Sequence, residues 1–130
     1  MKLLVDNNLS PSLAHGLQPI FPEFKIEALR DKFAANTSDV DWIKALDSEG
    51  GWAVLTAERR LKTRPHERLA LDRSNIVFFF LTGAWLKFSV PETAWRLIRL
   101  VPAMATQSAL AEGLFDLPIN ATSRLRQHGR

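Results

Sequence analysis

A chain of 130 residues is long enough to bury one hydrophobic core without staples. Its hydrophobic fraction of 46% beside 24% charged residues is that of an ordinary globular domain, and the absence of cysteine excludes disulfides and thiolate metal sites. The formal charge of +3 is only a weak pull on polyanions, so where the basic residues fall matters more than their total.

Lys2 to Val5 is a short apolar run that stops at Asp6-Asn7-Asn8, as a buried strand stops at a polar tip. Ser10-Pro11 then has the form of an N-cap followed by proline in the first helical turn, with Leu13, Ala14 and Leu17 inward and Pro19 as the stop. Phe24 to Leu29 is a second short strand. Ser38 opens a helix in which Asp39, Trp42, Ile43 and Leu46 share one face, and Gly50-Gly51 closes it. Trp52 to Thr56 is apolar enough to be a strand buried on both sides. A basic loop leads to a helix from Pro65 to Asp72, and Asn75 to Leu81 is the clearest strand of all. Pro91 starts a helix with Ala94, Leu97, Ile98 and Val101 inward. Beyond Pro102 the pattern is poor, and Leu114 to Ile119 is read as a final edge strand.

Strands alternating with helices predict an α/β fold, a mainly parallel sheet covered on both faces and built as one domain over 1–130. The segment 120–130 is read as a flexible basic tail. No apolar run nears the roughly 18 residues of a membrane span, and Met1 to Val5 meets Asp6 too soon for a signal peptide. A cytoplasmic protein that does not engage membranes is expected.

Open parallel sheets bind their ligands beyond the carboxyl ends of the strands. Asp6 directly follows the first strand, and Glu58 lies two residues past Thr56. Asp39 lies in the first turn of the helix that feeds the Trp52–Thr56 strand. Three acids from distant parts of the chain are thus expected to meet at one sheet edge. Close carboxylates raise one another's pKa, so a cluster kept ionised needs a cation, and carboxylate oxygens suit Mg²⁺ or Mn²⁺. Such an ion lowers the pKa of bound water and stabilises charge on a phosphodiester. Each acid also has a plain structural use: Asp6 as a strand stop, Asp39 at the helix dipole, Glu58 as a loop charge. Asp41 is a further metal candidate, but its spacing from Ser38 is that of a capping box. Asn8 and Thr56 are placed to support the site.

Arg59, Arg60, Lys62 and Arg64 follow Glu58 closely and are candidate contacts for RNA phosphates. Trp85, Leu86 and Phe88, around Gly83-Ala84, are a candidate contact for a homodimer or a partner protein, or else a cap on the core.

Three stretches taken together resemble the PIN-like domains related to VapC-type toxins: Leu3-Leu4-Val5-Asp6-Asn7-Asn8-Leu9-Ser10-Pro11, Ser38-Asp39-Val40-Asp41-Trp42-Ile43, and Gly50-Gly51-Trp52-Ala53-Val54-Leu55-Thr56-Ala57-Glu58-Arg59-Arg60. The resemblance covers about the first two thirds of the chain. It implies a three-layer α/β/α sandwich and, for active members, a metal-dependent endoribonuclease that is the toxin of a toxin–antitoxin pair, held in check by an antitoxin protein. Asp6 matches the family's first-strand acid and Asp39 the acid before the Trp-containing helix. Glu58 stands where an Asp is usual, one methylene longer, and no clear fourth acid is present, since Asp72 falls at a helix end and Asp116 in a poorly patterned region.

The main alternative is a non-catalytic nucleic-acid-binding or antitoxin-interaction module on the same fold. A phospho-acceptor receiver would want paired acids after the first strand, and a haloacid-dehalogenase-type phosphatase would want a second Asp at Asn8. Asp6-Asn7-Asn8 suits neither.

Overall fold

The computed structural model describes residues 1–110, 113–121 and 124–128. Strands β1 (Lys2–Val5), β2 (Lys25–Ala28), β3 (Trp52–Thr56), β4 (Val77–Leu81), β5 (Gly113–Leu117) and β6 (Arg126–His128) form one sheet in the order β2-β1-β3-β4-β5-β6. All neighbours run parallel except β6, which is antiparallel to β5.

The period-two rule of strands sorts the core into two layers. Leu3, Val5, Ala53, Leu55, Val77, Phe79 and Leu81 face one side, where α1 (Pro11–Ile20) and α6 (Val90–Leu110) cover them. Leu4, Trp52, Val54, Phe78 and Phe80 face the other, under α3 (Asp39–Glu49), α4 (Arg60–Thr63) and α5 (Pro65–Arg73), with the single turn α2 (Leu29–Lys32) beside them. This is a three-layer α/β/α sandwich.

The two strongest sequence signals act as expected. The Ser38 hydroxyl accepts from the Asp41 N–H over 3.1 Å and starts α3, whose buried stripe is Trp42, Ile43 and Leu46. Gly50 and Gly51 end it at φ of 78° and 76°, a left-handed conformation that a β-carbon would strain.

Elsewhere the chain departs from its pattern. Pro19 does not stop α1. It lies in the last turn and removes one N–H donor there, yet the helix runs on to Ile20. Leu29 leaves the strand and turns into the opposite core layer as the first residue of α2. Pro102 sits inside α6, which continues to Leu110 because Val101 and Met104 remain buried on its inner face. The Leu114–Ile119 segment is no edge. Its strand, β5, lies between β4 and β6, and β6 comes from the segment expected to be a basic tail. The basic loop after Glu58 includes a helical turn, α4, which buries Leu61. Among the described residues no helix is long and apolar enough to cross a membrane.

Candidate metal centre and its basic rim

Parallel pairing of β1 with β3 sets Val5 opposite Leu55, so Asp6 and Thr56 leave the sheet side by side. The Asp6 N–H donates to the Leu55 carbonyl over 2.9 Å and fixes the backbone there. Asp6 is 6% exposed, with its Oδ2 accepting from the Thr56 hydroxyl at 2.8 Å and its Oδ1 from the Asn7 N–H at 2.6 Å. Burial pushes its pKa above the ordinary value despite these two donors, and the charges of Asp39 and Glu58 push it further the same way. Asp39 and Glu58 are therefore each within electrostatic reach of Asp6.

Asp39 is half-buried at the start of α3, and the Trp42 indole N–H donates to its Oδ1 over 2.9 Å. A core tryptophan thus aims this carboxylate. Asp41 is exposed on another side of the helix, and its backbone N–H serves the Ser38 cap. Glu58 is differently placed. Both its oxygens accept from the Arg60 guanidinium at 3.0 Å, and Oε1 also accepts from the Arg60 backbone N–H at 2.9 Å. The Arg60 hydrogen bond holds the Glu58 pKa below its usual value. Among the described residues no three His, Asp or Glu side chains group closely enough to hold a metal ion together.

The donor set can still be tested against Mg²⁺ or Mn²⁺. Such an ion keeps several waters and needs only one or two protein carboxylates. Asp6 and Asp39 meet that requirement, and a cation would offset both the burial and the lesser charge repulsion that raise the Asp6 pKa. Glu58 is held by Arg60 instead.

Asn8 and Thr56 both form hydrogen bonds at this sheet edge. Asn8 Oδ1 accepts from the Ala57 N–H at 3.4 Å and ties the two loops across the sheet edge, while the Thr56 hydroxyl accepts from the Glu58 N–H at 2.9 Å within the second loop. The four basic residues divide. Arg60 is committed to Glu58, while Lys62 lies 3.7 Å from Asp116 and 4.3 Å above the Phe80 ring. Arg59 packs against Gly83, where a β-carbon would come within 3.0 Å of its guanidinium. Arg64 is exposed, and its charge helps to lower the Glu58 pKa.

Sequence reasoning misses the Lys62–Asp116 pair because it takes β5 for an edge strand. The signal is present: Gly113-Leu114-Phe115-Asp116-Leu117 is an apolar run broken by one acid at the carboxyl end. The Trp85 group resolves mostly as a cap. Trp85 is buried with its indole N–H donating to the Leu117 carbonyl at 3.0 Å, Phe88 is half-buried, and Leu86 alone is left 74% exposed.

A parallel α/β/α sandwich with a buried Asp6 at the carboxyl edge of its sheet defines the class. Residues 1–83, which hold β1 through β4, all three acids and the basic rim, match the family model described as PIN like domain. The chain belongs to the PIN-like domain family, a nuclease-type superfamily. Neither the curated proteins nor the solved structures gave a match to the chain.

Proposed function

We propose that the protein is a metal-dependent endoribonuclease, the toxin of a toxin–antitoxin pair, with Asp6 and Asp39 as ligands of Mg²⁺ or Mn²⁺. The observation that carries this reading is a buried carboxylate, Asp6, repelled by two further acids at the ligand-binding edge of a parallel sheet. When bound, the ion supplies an activated water and positive charge beside the scissile phosphate. The chain does the rest. Thr56 and the Asn7 N–H orient Asp6, and Trp42 orients Asp39. Arg59 and Arg64 meet phosphate oxygens. Glu58, held acidic by Arg60, is a poor proton acceptor, so its use is as negative charge. An antitoxin or a second copy would meet the face that carries the exposed Leu86.

The Glu58–Arg60 pair favours a second reading, a PIN-like module that binds nucleic acid or an antitoxin without cutting RNA. Incubation of a mixed RNA pool separates the two. The nuclease cuts with Mg²⁺ or Mn²⁺, is silent in EDTA, and loses the activity in Asp6→Asn. Intact RNA under every ion condition establishes the non-catalytic reading.

A further inference from the structure

We infer that the start of α6 carries a nucleobase-stacking subsite, built by Trp95, Arg96 and Arg99, that holds single-stranded RNA away from the acids. The inference rests on the RNA reading above but on different residues, all outside the 1–83 segment that matches the family. Of the four tryptophans, Trp42, Trp52 and Trp85 are buried and only Trp95 is exposed, at 45%. Trp95 is thus the one indole that a ligand can reach from solvent.

The wall behind it is rigid. Arg96 donates to the Glu92 carboxylate at 3.2 Å on one side and to the Ile119 carbonyl at 2.6 Å on the other. Held so, its guanidinium lies 4.6 Å from the Trp95 ring centre and 4.2 Å from that of Phe88. A planar cation on one face of an indole leaves the other face for a base. Arg99, one turn further along α6, is exposed and makes no ion pair among the described residues. These three residues and Ile119, Asn120 and Ala121 line a cavity of about 350 Å³. That is within the span of small-ligand pockets, about 300–1,000 Å³. Stacking plus a free guanidinium is the chemistry that takes a base and its phosphate.

Topology connects this cavity to the acids. Residues 119–121 follow the carboxyl end of β5, which is parallel to β1 and β3, so the cavity opens at the same sheet edge as Asp6 and Glu58. Phe88, on which Arg96 stacks, also lines a groove with Asn8 and Ala57. A strand leaving the acids past Asn8 and Phe88 arrives at Trp95.

The test is binding of a labelled single-stranded RNA in EDTA, where cleavage is off, beside a duplex of the same sequence. Loss of one stacked base weakens binding by about 5- to 150-fold. Trp95→Ala should show that loss for the single strand and much less for the duplex, and Trp95→Phe should recover most of it. Arg99→Gln should shallow the salt dependence by about 0.7 in logarithmic slope, as for one phosphate. Adenosine monophosphate, alone, should quench the exposed indole. RNA that binds equally to wild type and Trp95→Ala overturns the subsite and leaves the RNA reading standing. Quenching by the nucleotide without RNA binding supports the subsite and removes the RNA reading. A Trp95 that responds to neither overturns the inference.

Discussion

The Thr56 hydroxyl donates to Asp6 Oδ2 over 2.8 Å, joining two strand ends that lie 50 positions apart in the chain. Both residues are buried, and this bond and the Asn7 N–H are what oppose the desolvation of the carboxylate. Thr56→Val keeps the shape and deletes the donor. The variant should lose about 1–3 kcal/mol of stability at a pH above the Asp6 pKa, where the carboxylate is charged, and less below it, where the carboxyl is neutral. Denaturant unfolding at the two pH values measures the difference. An equal loss at both would mean that Thr56 matters for packing alone.

The raised pKa of Asp6 fixes the sign of a pH effect. A carboxyl whose folded pKa lies above its unfolded one contributes stability below the unfolded value of 3.8, and that contribution is lost as pH rises through the folded pKa. Without divalent ions, wild type should therefore lose stability relative to Asp6→Asn as pH rises from 3.8 through the folded pKa of Asp6, and no further above it. Mg²⁺ or Mn²⁺ should reverse the loss in wild type only, by about 2.7 kcal/mol at a free ion concentration one hundred times Kd. Thermal melts with and without the ion check both parts. A wild-type melting temperature that ignores the ion removes Asp6 from the metal site.

What can be read from the sequence is what depends on periodicity and on strong punctuation. Val77 to Leu81 is apolar at every position, and it is a central strand buried on both faces. Ser38 and Gly50-Gly51 delimit a helix whose stripe points at the sheet, so Asp39 can be placed at its edge. Proline misleads, because the rule that it ends a helix yields to burial of Val101 and Met104 around Pro102. Losing that helix end also hides β5 as an inner strand, and with it the position of Asp116. Arg60 escapes for another reason. Its grip on Glu58 forms within a tight turn at a spacing of two, which neither helix nor strand periodicity describes.

That pair makes its own prediction. The Arg60 side chain is 62% exposed, so the pair is a solvent-screened surface ion pair that adds little to stability. Arg60→Gln should therefore melt close to wild type. It should also bind Mn²⁺ several-fold more tightly, since Glu58 is released to the acids. Glu58→Gln should weaken binding and cancel the effect of Arg60→Gln in the double variant, because the two side chains act as one unit. Mn²⁺ binding followed by electron paramagnetic resonance reads these affinities directly. Additive effects would place Glu58 outside the metal site.

The basic rim should divide in function as it divides in bonding. Arg59→Glu with Arg64→Glu reverses two charges that are not held by a carboxylate hydrogen bond. RNA binding in EDTA should weaken, and its logarithmic salt slope should fall by about 0.7 for each phosphate that is no longer neutralised. Lys62→Glu instead sets a carboxylate beside Asp116 and under Phe80, so its main effect should be on stability. A salt slope that is unchanged in the double variant would make Arg59 and Arg64 ordinary solvated surface.

Asp39 and Asp41 are two residues apart on α3, which separates their directions by about 200°. Asp39 lies beside Trp42, whose buried indole donates to it, and its charge reaches Asp6. Asp41 is exposed, and its backbone is occupied with the Ser38 hydroxyl. Asp39→Asn should therefore abolish or strongly weaken Mn²⁺ binding and RNA cleavage together. Its fold should survive, because an amide oxygen can still accept from Trp42. Asp41→Asn should leave metal binding and cleavage intact, and lose about 0.3–1 kcal/mol through the missing acidic charge in the first turn of the helix. Both variants are assayed for Mn²⁺ affinity, RNA cleavage and melting temperature. If Asp41→Asn abolishes metal binding while Asp39→Asn retains it, the ion sits on the outer side of α3, and the buried Asp6 is not its ligand.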